Sequence, residues 1–292
     1  MTDLRSLALP AGAAVLGVHG VLRAVERGPA RVRRALGRTN FAGDPVTLAQ
    51  GPAWVGGVAL GALLAADPVA AAAVAVPGAV GLVDDLVGDR STKGIRGHLG
   101  ALRRGRVTSG AVKVAVLGTT ALVVAVLEHD RDASLSSRLP ALVVDAGVVA
   151  GTANLLNLFD LRPGRALKVA TLVGAPLLVA APGRARPALV AGLAATAAAL
   201  PGDLAGRSML GDCGANAAGA LVGQGVVRSL PLAGRTGVLA AVTALTLASE
   251  RVSFSRVIDR TPALRALDAW GRPTPEPVSP VTPATPVSSV TP

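Results

Sequence analysis

The apolar residues of this chain fall mainly in runs long enough to suggest a membrane protein. They come in long runs rich in Ala, Val, Leu and Gly, broken by short clusters of Arg, Asp, Pro and Gly. Crossing about 30 Å of hydrocarbon takes roughly 20 mostly apolar residues, and small-residue helices inside a bundle manage with fewer. Nine such runs lie near 7–24, 51–66, 68–83, 110–127, 139–157, 168–181, 187–201, 213–228 and 236–250. The expected fold is therefore all-α: a polytopic membrane bundle of about nine transmembrane helices over residues 1–272. The Gly57–Gly61 and Gly219–Gly223 pairs have the small-xxx-small spacing that lets two helices approach closely.

Composition supports a lipid environment. The chain is 51% hydrophobic and only 16% charged, which excludes a wholly disordered chain, and its single Cys213 excludes a disulfide scaffold. The net charge of +11 sits between apolar runs rather than on a soluble basic face, so no nucleic-acid partner is expected. If the N-terminus is outside, 21 of the 29 Lys and Arg fall on one face and seven on the other. That bias makes the first face cytoplasmic and leaves the C-terminus there too. The segment before the first run is short, with only Arg5 basic, so it is read as leading into a first span rather than as a secretory signal. Residues 273–292 hold seven of the 21 prolines and read as a disordered tail. Just before it, Thr261 and Pro262 can cap and open a short helix carrying Leu264, Leu267 and Trp270, suited to the membrane surface.

Three polar clusters interrupt this pattern on the expected cytoplasmic face. Gly81-Leu82-Val83-Asp84-Asp85 closes the third run with two adjacent carboxylates, which suits either a solvated helix end or a bound divalent cation. Asn154, Asn157 and Asp160 leave the fifth run at i, i+3, i+6, on one side of a helix. They suit a shared polar site or interhelical hydrogen bonds. Arg162, Arg165 and Lys168 follow in a compact basic turn, fit for phosphate oxygens or for a plain positive-inside loop. Leu210-Gly211-Asp212-Cys213-Gly214 opens the eighth run, where Asp212 is a candidate Mg²⁺ ligand or an N-cap. Acids from distant segments, surrounded by cations at a membrane face, suit metal-assisted phosphoryl transfer to a lipid.

In their order and topology these motifs resemble the MraY/WecA family of polyprenyl-phosphate sugar-1-phosphate transferases. GLVDD at 81–85 resembles the family's Asp-Asp motif, NLLNLFD at 154–160 its Asn-x-x-Asn-Leu-x-Asp motif, and LGD at 210–212 its Phe-x-Gly-Asp motif. Lys93-Gly94 resembles the Lys-Gly after the paired aspartates, and Lys113 the lysine opening the next helix. The likeness covers roughly residues 7–250.

The resemblance implies transfer of a sugar-1-phosphate from a UDP-sugar to a polyprenyl phosphate, with release of UMP, for cell-envelope polymer synthesis. It implies Mg²⁺ at Asp212, with Asp84, Asp85, Asp160 and Lys93 as catalytic residues. Asn154, Asn157 and Lys113 would bind substrate, together with Arg162, Arg165 and Lys168. Pro163 stands where the family has a further acid, and no His follows His129, so the family's His-rich loop is replaced by Glu250–Arg256. Arg251 and Arg256 would there take over pyrophosphate contacts. The expected location is the cell membrane, multi-pass, with the site facing the cytoplasm and a homodimer among the expected partners. The other expectation is a catalytically silent relative that binds lipid phosphate as a scaffold or regulator.

Overall fold

The computed structural model describes residues 4–40, 43–88, 94–129 and 135–273. Lys93 and the tail from 274 onward lie outside the described residues. The order is α1 (Leu4–Arg27), α2 (Ala30–Leu36), β1 (Gly37–Thr39), β2 (Pro45–Thr47), α3 (Gln50–Leu64), α4 (Pro68–Val87) and α5 (Gly94–Arg103). There follow α6 (Ser109–Glu128), α7 (Leu135–Phe159), α8 (Arg165–Ala180), α9 (Arg186–Leu204), α10 (Gly211–Ser229) and α11 (Leu232–Ser249). Two short helices, α12 (Phe254–Arg260) and α13 (Pro262–Ala269), complete the all-α fold. β1 and β2 form one antiparallel ribbon that pairs Gly37 with Thr47 and Thr39 with Pro45.

Each of the nine apolar runs is helical, yet only six described helices are both long and apolar enough to cross a membrane: Ser6–Arg27, Pro68–Val87, Ser109–Glu128, Arg138–Phe159, Gly183–Leu204 and Leu232–Ser249. Length excludes α3 and α8, at 15 and 16 residues. Polarity excludes α10, which carries Asp212, Asn216, Gln224 and Arg228. Burial explains that polarity. Most of α10 is buried, and it packs against α3, α4, α6, α7, α8 and α9, so lipid does not reach it. Conversely, large apolar side chains stand exposed on outer helices, with Leu16 at 73% and Val179 at 81%, the arrangement a hydrocarbon solvent favours.

Glycine sets the tightest contacts. A Cβ on Gly17 would lie 2.6 Å from Gly57 Cα, one on Gly61 would lie 2.7 Å from Pro10 O, and Gly219 and Gly223 meet the α7 backbone at Ala153 Cα (2.6 Å) and Val149 Cα (2.7 Å). Both small-residue pairs thus bring helices into backbone contact. Trp54 fills the core beside them, its Nε1 donating to Thr196 Oγ1 at 3.1 Å.

At one end of the bundle, ion pairs tie helix termini together. Arg228 of α10 bonds Asp67, which caps α4, and Glu128, which ends α6. Arg235 NH1 reaches Asp145 Oδ2 at 2.9 Å, and His129 lies 3.6 Å from the same carboxylate. Arg228 and Arg235 are thereby paired with acids at this end.

Candidate functional site

At that opposite end α4 and α10 touch. A Cβ on Gly81 would come within 2.7 Å of Cys213 N, so the next turn of α4 brings Asp84 and Asp85 beside the first turn of α10. Asp85 Oδ1 accepts the Asp212 N–H at 3.1 Å, and its Oδ2 accepts the Cys213 N–H at 3.0 Å. This corrects the N-cap reading of Asp212: Leu210 occupies the cap position without a side-chain bond, and Asp85 serves the free N–H groups from another helix. Gly211 allows it, with φ +62° and no Cβ to collide with Asp85 Oδ2, which would be 2.7 Å away.

Lys113 enters from the first turn of α6, a helix capped by Thr108 accepting from Ala111 N at 3.2 Å. Its ammonium stands 3.6 Å from Asp84 and hydrogen-bonds Asp212. The sequence assigned Lys113 to substrate; in this conformation it is the counterion of two carboxylates.

The third acid arrives along α7. Antiparallel pairing of Gly223 with Val149 and Gly219 with Ala153, continued residue for residue, sets Asn216 level with Leu156 and Asp212 level with Asp160. Asp160 is buried, and its Oδ2 has no hydrogen-bond partner. Burial first, and the nearby Asp203 carboxylate next, push its carboxyl well above the ordinary range. Asn154 and Asn157 are half-buried on the same helix. Asn216 is fully buried with neither amide atom bonded, a feature the sequence reading did not use.

Asp203 was also missed. It accepts from Gln50 Nε2 at 2.9 Å and from Gly164 N at 2.8 Å, and Ser208 donates to Gln50 in turn. Gly164, at φ +73°, turns its N–H toward that carboxylate and starts α8. No local pattern marks this bond, because its partners come from three separate segments.

The basic turn is occupied from within the chain. Arg162 forms a two-pronged pair with Asp259 (2.8 and 2.9 Å), and Arg165 does the same with Asp268 (2.7 and 3.0 Å) while also donating to Ser255 Oγ at 3.0 Å. Lys168 donates to the Asp268 and Leu267 carbonyls at 2.7 and 3.2 Å. Burial alone would raise the Asp268 carboxyl, but the hydrogen bonds and charge of Arg165, joined by Arg272, hold it below the usual carboxylate range. Arg251 and Arg256 are exposed, and Phe254 between them stacks on Phe159 with ring centroids 5.0 Å apart. That stack brings the Glu250–Arg256 segment to the end of α7.

The structure thus gathers Asp84, Asp85, Lys113, Asp160 and Asp212 at one end of the bundle, and turns Arg162, Arg165 and Lys168 toward α12 and α13. Among the described residues no group of three or more His, Cys, Asp or Glu is arranged to hold a metal. Asp84 and Asp212 both meet the Lys113 ammonium, and Mg²⁺ sites in general take one or two carboxylates with phosphate oxygens and water as the remaining ligands. No family model and no curated protein matches the chain.

Proposed function

We propose that the chain is a Mg²⁺-dependent phosphoglycosyltransferase that moves a sugar-1-phosphate from a UDP-sugar to a polyprenyl phosphate at the cytoplasmic face of the cell membrane. In this reading α3, α8 and α10 join the six long apolar helices as spans, with the N-terminus outside and the C-terminus cytoplasmic. One observation carries the proposal: carboxylates from three distant motifs, Asp84/Asp85, Asp160 and Asp212, share one end of the bundle with the Lys113 ammonium.

Asp212 and Asp84 are the residues that would hold Mg²⁺, which when bound offsets charge on the donor pyrophosphate. Lys113 moves its ammonium from Asp212 to a phosphate oxygen as the donor enters. Asp85 keeps the first turn of α10 in place, so Asp212 meets the donor in a fixed position. An acceptor phosphate oxygen attacks the sugar-linked phosphorus, the anhydride bond breaks, and UMP leaves. Asn154 and Asn157 offer amides to the nucleotide, and Asp160 lines the wall behind them. Arg251, Arg256 and Lys93 offset pyrophosphate charge. Arg162, Arg165 and Lys168 act as struts to the C-terminal helices rather than as direct substrate contacts.

A second reading, a silent relative that binds lipid phosphate as a scaffold, is favoured by the ion pairs that already neutralise Lys113 and the basic turn. Purified protein in nanodiscs, given undecaprenyl phosphate, Mg²⁺ and a panel of UDP-sugars, separates the two. UMP release that chelation abolishes supports the transferase. Phosphate-lipid binding without UMP from any donor supports the scaffold.

A further inference from the structure

The two C-terminal helices carry an apolar face that the bundle does not cover. Val257, Leu264, Leu267 and the C-cap Trp270 are 41–71% exposed, as is Val252 in the turn before α12. Helices that merely hang from a bundle can roll such a face inward, but α13 is held at its other edge. Asp268 is buried against Arg165 and Arg272, and Arg272 Nε donates to Pro163 O at 2.9 Å. With Asp268 fixed inward, Leu267 and Trp270, about 100° and 160° from it around the helix, stay outward, and Leu264 lies at the margin.

We infer that α12 and α13 are an interfacial strap whose outward face lies in the headgroup layer of an anionic bilayer. Two observations choose lipid as the occupant. The strap follows directly in the chain from α11, whose Leu245 and Leu247 are 42% and 60% exposed, so a membrane that covers α11 ends next to it. Around it stand Arg256, Arg260 and Arg265, which are exposed and make no ion pair among the described residues, so the rim complements lipid phosphates. Trp270 sits where an indole prefers to lie, apolar on one side and wet on the other. The inference does not depend on the transferase reading.

Tryptophan emission tests it, because the chain holds only Trp54, fully buried in the core, and the exposed Trp270. The emission that Trp270→Phe removes is the Trp270 signal, to be read in nanodiscs with bromine on the lipid acyl chains or with iodide in the water. Lipid bromine should quench it by about half while iodide quenches weakly, and the lipid effect should fall at least twofold in the Arg260→Glu/Arg265→Glu variant or in purely zwitterionic lipid. Iodide quenching without bromine quenching would overturn the inference. So would protection from both, which would put the tail or a second copy over the face. Equal bromine quenching in anionic and zwitterionic lipid would overturn the preference for anionic lipid.

Discussion

The Asp85 carboxylate, in the last turn of α4, accepts the backbone N–H of Asp212 across 127 positions of sequence and thereby caps a helix to which it does not belong. Asp85→Ala should free both N–H groups that it serves. The expected cost is about 1–2 kcal/mol, the upper part of the range for lost N-caps, read as a lower unfolding midpoint in detergent. Activity should fall further than stability, because Asp212 loses its fixed position.

Lys113 is held by two carboxylates, with its side chain 12% exposed. Lys113→Met should destabilise by about 1–3 kcal/mol, between the ranges for exposed and buried pairs, since it leaves two partly buried acids uncompensated. Adding Asp212→Asn should recover part of that loss, with a coupling of about 0.5–3 kcal/mol in a double-mutant cycle. Asp212→Asn alone should lower any Mg²⁺-dependent turnover by orders of magnitude while leaving the fold in place.

Gly223 and Gly237 make a matched pair. Gly223→Ala drives a methyl into the α7 backbone at Val149, which has no rotamer to yield, so a loss of about 1–3 kcal/mol is expected. Gly237→Ala, with nothing within 4 Å of the added carbon, should be neutral or stabilising by up to about 1 kcal/mol. Thermal unfolding of the two variants side by side checks both signs.

Acid should release the strap. The folded Asp268 carboxyl is held below its unfolded value of about 3.9, so its contribution is present above that pH and is lost as pH falls through the folded value. Trp270 emission followed from pH 6 downward should report detachment below about pH 4. In Asp268→Asn that step should be absent.

Arg256 before the C-terminal end and Arg165 at the start of α8 should separate by phenotype. Arg256→Ala should leave stability unchanged and weaken the donor or its transition state by about 1.5–3 kcal/mol, with Lys rescuing only in part. Arg165→Ala should instead destabilise the protein, because it strands the buried Asp268 carboxylate. Kinetics with UDP-sugar, paired with unfolding curves, distinguish the two.

What the sequence made visible follows from the solvent it implies. Hydrocarbon demands long apolar runs, so each of the nine was visible as helix, with ends displaced by at most four residues. Backbone contact between helices admits almost only glycine, so the Gly57–Gly61 and Gly219–Gly223 spacings pointed at real seams. The acids at 84–85, 160 and 212 were legible because carboxylates abutting apolar runs stand out in a chain with only 18 Asp and Glu. Their bonding was not. Asp85 as a cap, Asp203 beneath Gly164, and Asp259 and Asp268 on the basic turn all join segments far apart in the chain. Arg162, Arg165 and Lys168 therefore looked free to bind phosphate when their partners lay about 90 residues or more away.

The buried, polar character of α10 bears on how the protein can be made. A segment carrying Asp212, Asn216, Gln224 and Arg228 is expensive to leave alone in lipid, since single charges there cost about 2.5–3.5 kcal/mol during insertion. Every helix in substantial contact with it, from α3 to α9, precedes it in the chain. In the proposed multi-pass reading, synthesis from the N-terminus places the socket ahead of the polar helix, and α10 enters protein rather than hydrocarbon. Chain order here does the work of a chaperone, and a circular permutant that places α10 first would lose that protection and be degraded during biogenesis.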